Sequence, residues 1–185
     1  MFLQEAEATV MLFDLRGFTR LAASIGPIDL GAALSRFYSH CESCVVAHGG
    51  RMVKFLGDGV LSCWLSSEVD DFRRKAVAAV WESHKKRTAW VQQGVDEGFP
   101  VLDYSVAAAT GPVLVGHIGT DRLKQFDVLG EVVNIAKKLT SVATSRSMDH
   151  LITNETLDSP AGRLPALEVE GIELGGRALR LFRLE

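Results

Sequence analysis

The chain has 185 residues, 47% of them hydrophobic, and a formal net charge of −3 at pH 7. This length and apolar content suffice for one sizeable core but not for two ordinary domains, so we expect a single domain spanning residues 1–185. The mixed charge argues against a nucleic-acid-binding protein, and no apolar run reaches the roughly 18 residues of a membrane span. We therefore expect a cytoplasmic location, no membrane segment and no nucleic-acid partner.

The first predicted strand is an apolar, β-branched run at residues 8–14, which ends at Asp14. A helix is expected to open around residues 17–19. The N–H groups of a helix's first turn have no partners within the helix, so a phosphate could dock there. A longer helix is predicted from Pro27 to His48, where two glycines end it.

Two cysteines, Cys41 and Cys44, share a face of this helix with His48. A transition-metal site is one interpretation of the three side chains, but no fourth ligand is evident. Because the same face carries Leu34 and Phe37, we favour small buried thiols within a core stripe. The chain's three cysteines are an odd number and predict no disulfide framework.

The rest of the chain alternates strands and helices separated by turn residues. The predicted elements are a hairpin at 51–57 and 60–65, a helix at 68–93, a second hairpin at 101–109 and 113–118, a strand at 124–129, a helix at 131–142, and short strands near 149–153, 166–173 and 178–184. Gly94 is expected to end the helix at 68–93, and residues 110–112 to form the second hairpin turn. Helices covering a mostly antiparallel sheet define an α+β sandwich.

Two aspartates, Asp14 and Asp58, each end a predicted strand. Taken singly, Asp14 is explained as a helix N-cap and Asp58 as a hairpin-turn residue. Two carboxylates in one cleft repel each other, and divalent cations between them are the usual way to keep both ionised. Since such cations bind phosphates, the pair predicts a two-metal nucleotide site.

Three segments carry a resemblance to a known family. They read Phe-Asp-Leu-Arg-Gly-Phe-Thr at residues 13–19, Lys-Phe-Leu-Gly-Asp-Gly at 54–59, and Gln-Phe-Asp-Val-Leu-Gly-Glu-Val-Val-Asn-Ile-Ala at 125–136. In order and spacing they resemble the class III adenylate/guanylate cyclase catalytic domain, and the likeness spans nearly the whole chain. It implies a ferredoxin-like, or palm-like, α+β sandwich.

The resemblance implies a metal and phosphate site at the first two segments. Asp14, Asp58 and the Leu15 carbonyl would hold two divalent cations per site, either Mg²⁺ or Mn²⁺. These would activate the ribose 3′-hydroxyl for attack on the α-phosphate and neutralise the leaving pyrophosphate. The β- and γ-phosphates would be bound by the backbone N–H groups of Leu15, Arg16, Gly17 and Phe18.

The resemblance also implies that Lys54 and Asp127 recognise the purine. A lysine only donates hydrogen bonds and a carboxylate only accepts them, which suits adenine's ring nitrogen and exocyclic amino group. Guanine presents a carbonyl and a ring N–H at that edge and would leave polar groups unpaired, at a cost of a few kcal/mol. ATP is therefore expected to be preferred over GTP. Considered alone, the two residues are also explained as a strand lysine and a turn aspartate.

The third segment supplies the expected catalytic side chains. Asn134 matches the asparagine that orients the ribose, and Lys138 stands where the family typically has an arginine. Because lysine lacks the planar fork that binds two phosphate oxygens, weaker catalysis is expected. Lys137 points about 100° away on the helix and is not expected to compensate. Arg177 is expected to contact the γ-phosphate.

In the family the site is shared between two protomers. Asp14 and Asp58 would come from one, and Lys54, Asp127, Asn134 and Lys138 from the other. This chain carries both half-sets, so the resemblance implies a homodimer with two equivalent sites and an inactive monomer.

The leading hypothesis from the sequence is an adenylate cyclase that converts ATP to 3′,5′-cyclic AMP and pyrophosphate. The alternative, motivated by Lys138, is a catalytically weak or silent cyclase-like module that binds nucleotide or dimerises in signalling. A nucleotidyl transferase that forms cyclic dinucleotides is a third possibility, but its Gly-Gly-Asp/Glu-Glu-Phe signature is absent from the chain.

Overall fold

The computed structural model describes residues 3–158 and 165–185. The elements are β1 (Leu3–Leu15), α1 (Phe18–Ala22), α2 (Pro27–Val46), β2 (Arg51–Phe55), β3 (Gly59–Leu65), α3 (Phe72–Asp96), β4 (Tyr104–Gly119), β5 (Lys124–Leu129), α4 (Glu131–Ser145), β6 (His150–Thr153), α5 (Asn154–Leu157), β7 (Ala166–Leu174) and β8 (Arg177–Leu184). Among the residues described, no helix has the length and apolarity needed to cross a membrane.

The described strands form one sheet in the order β2-β3-β1-β4-β6-β8-β7, with β5 paired to the far end of β4. β4 and β6 run parallel, and the other described pairs are antiparallel. The long strands β1 and β4 therefore lie side by side at the centre. The predicted α+β sandwich, a mostly antiparallel sheet covered by helices, is confirmed.

Helices cover both faces of this sheet, and the alternation of side chains along β1 explains why. Met11 and Phe13 pack against α2 and α3 on one face, whereas Val10 and Leu12 pack against α4 on the other. Asp14 continues the second series by the same period of two. The strand thus places this carboxylate at its end, on the face that α4 covers.

The predicted second hairpin is wrong, because β4 continues without a turn through residues 110–112. These residues keep their register with β1, where Thr110 lies opposite Thr9 and Pro112 opposite Glu7. Pro112 falls between the stretch of β4 that pairs with β6 and the stretch that pairs with β5. On that side none of the described strands pairs with β4 at this position, and a proline, which has no N–H to donate, is tolerated there. Pairing with the long β1 therefore overrides the local turn signal.

The predicted end of the helix at 68–93 is also wrong. α3 begins at Phe72 and runs through Gly94 to Asp96. The glycine that follows the helix end in the left-handed conformation is Gly98, with φ +68°. A single glycine within the last turns is tolerated in a helix. The short helix α5 was not predicted.

Candidate functional site

Asp14 and Asp58 meet where β1 ends beside the β2–β3 turn. Asp14 lies opposite Gly59 in the strand register, and the Leu15 N–H donates a hydrogen bond to the Asp58 carbonyl at 2.9 Å. A Cβ at Gly59 would lie 3.0 Å from the Phe13 carbonyl oxygen, so the absence of a side chain there allows this close approach. Backbone pairing thus brings the two predicted metal ligands together.

The electrostatics of this edge favour a bound cation. Burial, and next the negative charge of Asp58, raise the pKa of Asp14 to about 6, and the charge of Lys137 opposes this shift. A divalent cation between the carboxylates would remove their repulsion, and carboxylate oxygens are the ligands that Mg²⁺ and Mn²⁺ prefer. The donor set present therefore fits the predicted metals.

The turn that carries Asp58 is held from α2 by Tyr38. The Tyr38 hydroxyl donates a hydrogen bond to the Gly57 carbonyl at 2.5 Å, and its ring stacks on Phe55 with centroids 4.1 Å apart. The negative charge of Asp58 also contributes, after burial, to a raised pKa of Tyr38. Sequence reasoning missed this residue, because a contact between a helix and a turn 19 positions away leaves no local pattern.

The segment after Asp14 corrects one expectation. The N–H of Leu15 donates to the Asp58 carbonyl, and the N–H of Arg16 donates to the Asp103 carbonyl at 2.8 Å. Each N–H has one proton, so neither is free to bind a phosphate as predicted. Gly17, with φ +68°, then leads into α1. The N–H groups of residues 17 and 18 stay as the predicted phosphate donors.

Lys54 and Asp127 are joined within one chain. The Lys54 Nζ donates to Asp127 Oδ2 at 2.7 Å, although the residues are 73 positions apart. The other carboxylate oxygen of Asp127 accepts the N–H of Val128 at 2.8 Å. The two side chains are 25% and 20% exposed. The two residues of the predicted purine-binding pair are thus already joined within one chain, and both remain partly exposed.

The predicted catalytic side chains on α4, Asn134 and Lys138, are exposed and point away from the helix's buried stripe. Lys137 lies one turn before Thr140, whose carbonyl accepts a hydrogen bond from Ser105, the residue opposite Asp14 in the sheet. Within one chain, Lys137 is therefore the α4 lysine whose charge acts on Asp14. Helical spacing predicts only that Lys137 does not compensate for the missing arginine, and it gives no indication of this effect on Asp14.

Arg177 lies at the start of β8, directly after the tight turn at residues 175–176. Its guanidinium donates to Glu155 of α5 at 2.7 Å. This surface ion pair holds the side chain against α5. The structure does not bring Arg177 into a described contact with either aspartate.

The thiols on α2 belong to the core. Cys41 and Cys44 are fully buried among the side chains between α2 and the sheet, and burial raises the pKa of both thiols. His48 instead pairs with Glu82 of α3, with Nε2 2.5 Å from the carboxylate. These contacts support the interpretation of a core stripe over a transition-metal site.

A second titratable cluster lies away from the aspartates. The ligand atoms of His84, Asp149 and His150 all lie within 4.8 Å of one another. The Leu184 N–H donates to His150 Nε2 at 2.9 Å, so the proton of the neutral ring sits on the buried Nδ1, which then has no lone pair for a metal. Arg87 also lies 3.8 Å from Asp149 and would repel a cation. We interpret the cluster as an ionic link between α3 and β6.

The chain is similar to known nucleotide cyclases. The family model for the adenylate and guanylate cyclase catalytic domain matches residues 3–173. An adenylate cyclase of Mycobacterium bovis is 33% identical over 135 residues, which are 73% of this chain and 30% of that protein. Adenylate cyclase 1 of Rhizobium meliloti is 27% identical over 135 residues, 72% of this chain and 20% of that protein. The chain thus spans less than a third of these curated relatives.

Solved structures show the same fold. The adenylyl cyclase CyaB from P. aeruginosa aligns with a TM-score of 0.83 and 25% identity, covering 98% of this chain and 95% of that one. The guanylyl cyclase Cya2 aligns with a TM-score of 0.86 and 23% identity, covering 98% and 93%. The chain therefore belongs to the class III adenylate and guanylate cyclase catalytic-domain family, as the three segments predicted. Because the chain is similar to both adenylate and guanylate cyclases, its purine preference has to be inferred from the residues of the site.

The raised pKa of Asp14 predicts a pH-dependent stability difference. The pKa of Asp14 in the folded protein lies above its ordinary value of 3.8, so ionising Asp14 destabilises the metal-free protein increasingly between about pH 4 and pH 6, and fully above that range. Without divalent cations, the free energy of unfolding of Asp14→Asn should exceed that of the wild type at pH 7 by about 1–2 kcal/mol. This is less than the full pKa shift corresponds to, because solvent screens part of the effect.

Urea unfolding in EDTA from pH 4 to pH 8 measures this difference, with Asp121→Asn in an exposed loop as the control. The advantage of Asp14→Asn should disappear near pH 4. An advantage of the same size at pH 4 and pH 7 would show that ionisation of Asp14 is not its cause.

Proposed function

We propose that this chain is the single catalytic domain of an adenylate cyclase that forms 3′,5′-cyclic AMP and pyrophosphate from ATP. The observation that carries the proposal is the ion pair between Lys54 and Asp127, which is 2.7 Å long and whose side chains are 25% and 20% exposed. Adenine offers one acceptor and one donor at its recognition edge. An amine that only donates and a carboxylate that only accepts match these two groups, whereas guanine would oppose both.

The acidic edge would bind the triphosphate through divalent cations. Asp14, Asp58 and the Leu15 carbonyl would hold two of them, Mg²⁺ or Mn²⁺, and the N–H groups of residues 17 and 18 would face the β- and γ-phosphates. When bound, the cations would lower the pKa of the 3′-hydroxyl and neutralise the negative charge that develops on pyrophosphate.

The reaction is an in-line displacement at the α-phosphorus. The bond from the 3′-oxygen to the α-phosphorus forms while the bond from that phosphorus to the bridging oxygen of the β-phosphate breaks, and the hydroxyl proton passes to solvent. The chain's part is positional and electrostatic. Asn134 would orient the ribose, Lys138 would neutralise charge growing on the α-phosphate, and Arg177 could reach the γ-phosphate only by leaving Glu155.

The site is proposed to form between two copies of the chain. Within one chain Lys54 donates a hydrogen bond to Asp127, and Asp58 lies beside Asp14. The proposed base-binding residues and the proposed metal ligands therefore form two separate pairs. A two-fold dimer would let one protomer supply Asp14 and Asp58 and its partner supply Lys54, Asp127, Asn134 and Lys138. Two equivalent sites follow from that symmetry.

An assay of purified protein with ATP or GTP, and with Mg²⁺ or Mn²⁺, tests the proposal. We expect cyclic AMP from ATP, a specific activity that rises with protein concentration, and little product from GTP. Asp58→Ala should abolish turnover because it removes a metal ligand, whereas Asp121→Ala, at an exposed position, should retain it. No cyclic AMP at high protein concentration, or full turnover by Asp58→Ala, would contradict the proposal.

The lysine at position 138 predicts a slow enzyme. Lys138→Arg would restore the planar fork for two phosphate oxygens, and we expect kcat to rise by about tenfold or more, since losing such a contact costs about 10²–10³ in rate. Lys85→Arg, on an exposed face of α3, is the matched control and should leave kcat unchanged. If neither the wild type nor Lys138→Arg turns over ATP, the domain acts as a silent signalling module instead.

A further inference from the structure

We propose that Arg16 is a positioning residue that fixes the metal-binding end of β1, and that it does not contact substrate. The inference rests on the proposed function, because it assigns a role within the same metal site. It differs from the expectation for this position, in which the backbone N–H of Arg16 would bind a phosphate.

Arg16 is restrained at three points. Its backbone N–H donates to the Asp103 carbonyl at 2.8 Å, and its Nη1 lies 3.6 Å from the Asp103 carboxylate. Its Nη2 donates to the carbonyl of Met148, in the loop between α4 and β6. One residue therefore ties the end of β1 to the start of β4 and to that loop.

Asp103 is itself held in place. Its Oδ2 accepts a hydrogen bond from Arg87 of α3 at 2.6 Å, and its Oδ1 accepts the N–H of Tyr104 at 2.8 Å. The anchor of Arg16 is thus fixed by a helix on one side and by the first residue of β4 on the other. Because the Asp103 carboxylate is bound by Arg87 and by the Tyr104 N–H, it gives Arg16 a fixed partner.

The guanidinium is not available for a phosphate. The Arg16 side chain is 20% exposed, and its Nε is buried without a hydrogen-bond partner among the described residues. The Asp103 carboxylate, 3.6 Å away and shared with Arg87, offsets part of its charge. A phosphate would have to displace a carboxylate and a carbonyl at once, so the observed contacts favour a structural use of the fork.

The restraint acts directly on the predicted metal ligands. Arg16 follows Asp14 and Leu15, and the Leu15 N–H is bonded to the Asp58 carbonyl. Fixing Arg16 therefore sets the position of the Asp14 carboxylate and the Leu15 carbonyl relative to Asp58. Groups that orient metal ligands typically change metal affinity by about 10–100-fold when they are removed.

Direct Mn²⁺ binding tests this role without relying on turnover. The free Mn²⁺ signal in electron paramagnetic resonance gives the dissociation constant for the wild type and for Arg16→Met, Arg16→Lys, Asp103→Asn and the double variant Arg16→Met/Asp103→Asn. Arg180→Met is the matched control, because Arg180 makes a comparable two-point ion pair with Glu168 on the exposed strands β7 and β8. Thermal unfolding in EDTA checks that each variant is folded.

We expect Arg16→Met and Asp103→Asn each to weaken Mn²⁺ binding by about tenfold, and the double variant to be no weaker than either. The Mn²⁺ dissociation constant of Arg16→Lys, which keeps one donor, should lie between those of the wild type and Arg16→Met. This variant keeps the proposal testable if Arg16→Met is poorly folded. The control should bind Mn²⁺ as the wild type does.

Each of the following results would overturn the proposal. Unchanged Mn²⁺ affinity in Arg16→Met, with a raised KM for ATP that Asp103→Asn does not reproduce, would assign Arg16 to substrate binding. Additive losses in the double variant would show that the two residues act separately. A wild-type protein that binds no Mn²⁺ would overturn the proposed function and this role together, whereas wild-type binding with unchanged variants overturns this role alone.

Discussion

The arrangement of the site depends on two carboxylates, Asp14 and Asp58, held close together at one end of the central sheet. Their repulsion and the burial of Asp14 make this edge unfavourable until a cation lies between them, as the raised pKa of Asp14 indicates. Backbone pairing supplies the force that keeps them there. β1 and β3 stay in register up to Asp14 and Gly59, and a residue without a side chain allows the final approach.

Two side chains from outside the sheet complete this restraint. Tyr38 holds the turn that carries Asp58, and Arg16 anchors the segment that follows Asp14. Both bind backbone carbonyls, and so they act on the position of the chain without neutralising the aspartates. The charge of the acidic edge is therefore kept for the proposed cations and the phosphates that accompany them.

A different constraint applies to the proposed purine-binding pair. Lys54 and Asp127 satisfy each other in the absence of nucleotide, so neither partly buried charge is left without a partner. In the proposed complex a purine would exchange this ion pair for one hydrogen bond to each group. Only a base whose donor and acceptor match both groups makes that exchange without an unpaired charge, which is why the pair would discriminate between purines.

Much of this architecture could be predicted from the sequence, since local patterns dominate where they agree with the fold. The apolar run ending at Asp14, the amphipathic helix that carries Asn134, and the family segments were sufficient to predict the sheet, its covering helices and the family. The continuity of β4 was not predictable, because a local Thr-Gly-Pro turn signal is overridden by pairing with a distant strand.

The contacts that Arg16 and Tyr38 make with distant backbone carbonyls could not be predicted from the sequence either. Each joins residues far apart in the chain through a single side chain, and no periodicity or spacing records such a contact. The family resemblance implied that the backbone N–H of Arg16 binds a phosphate, and it implied nothing about the side chain. In the structure the N–H donates to the Asp103 carbonyl, and the guanidinium has the Asp103 carboxylate and the Met148 carbonyl as partners.

If each site is built from residues of two chains, as proposed, two inactive variants should complement each other in a mixed dimer. Asp58→Ala would lack the proposed metal ligand and Asn134→Ala the proposed ribose ligand, so each homodimer would have two defective sites. After equal amounts are mixed and exchanged, half of the dimers are mixed, and one of their two sites is intact. We expect recovery of about a quarter of wild-type activity. No recovery, with mixed dimers shown to form, would contradict a shared site.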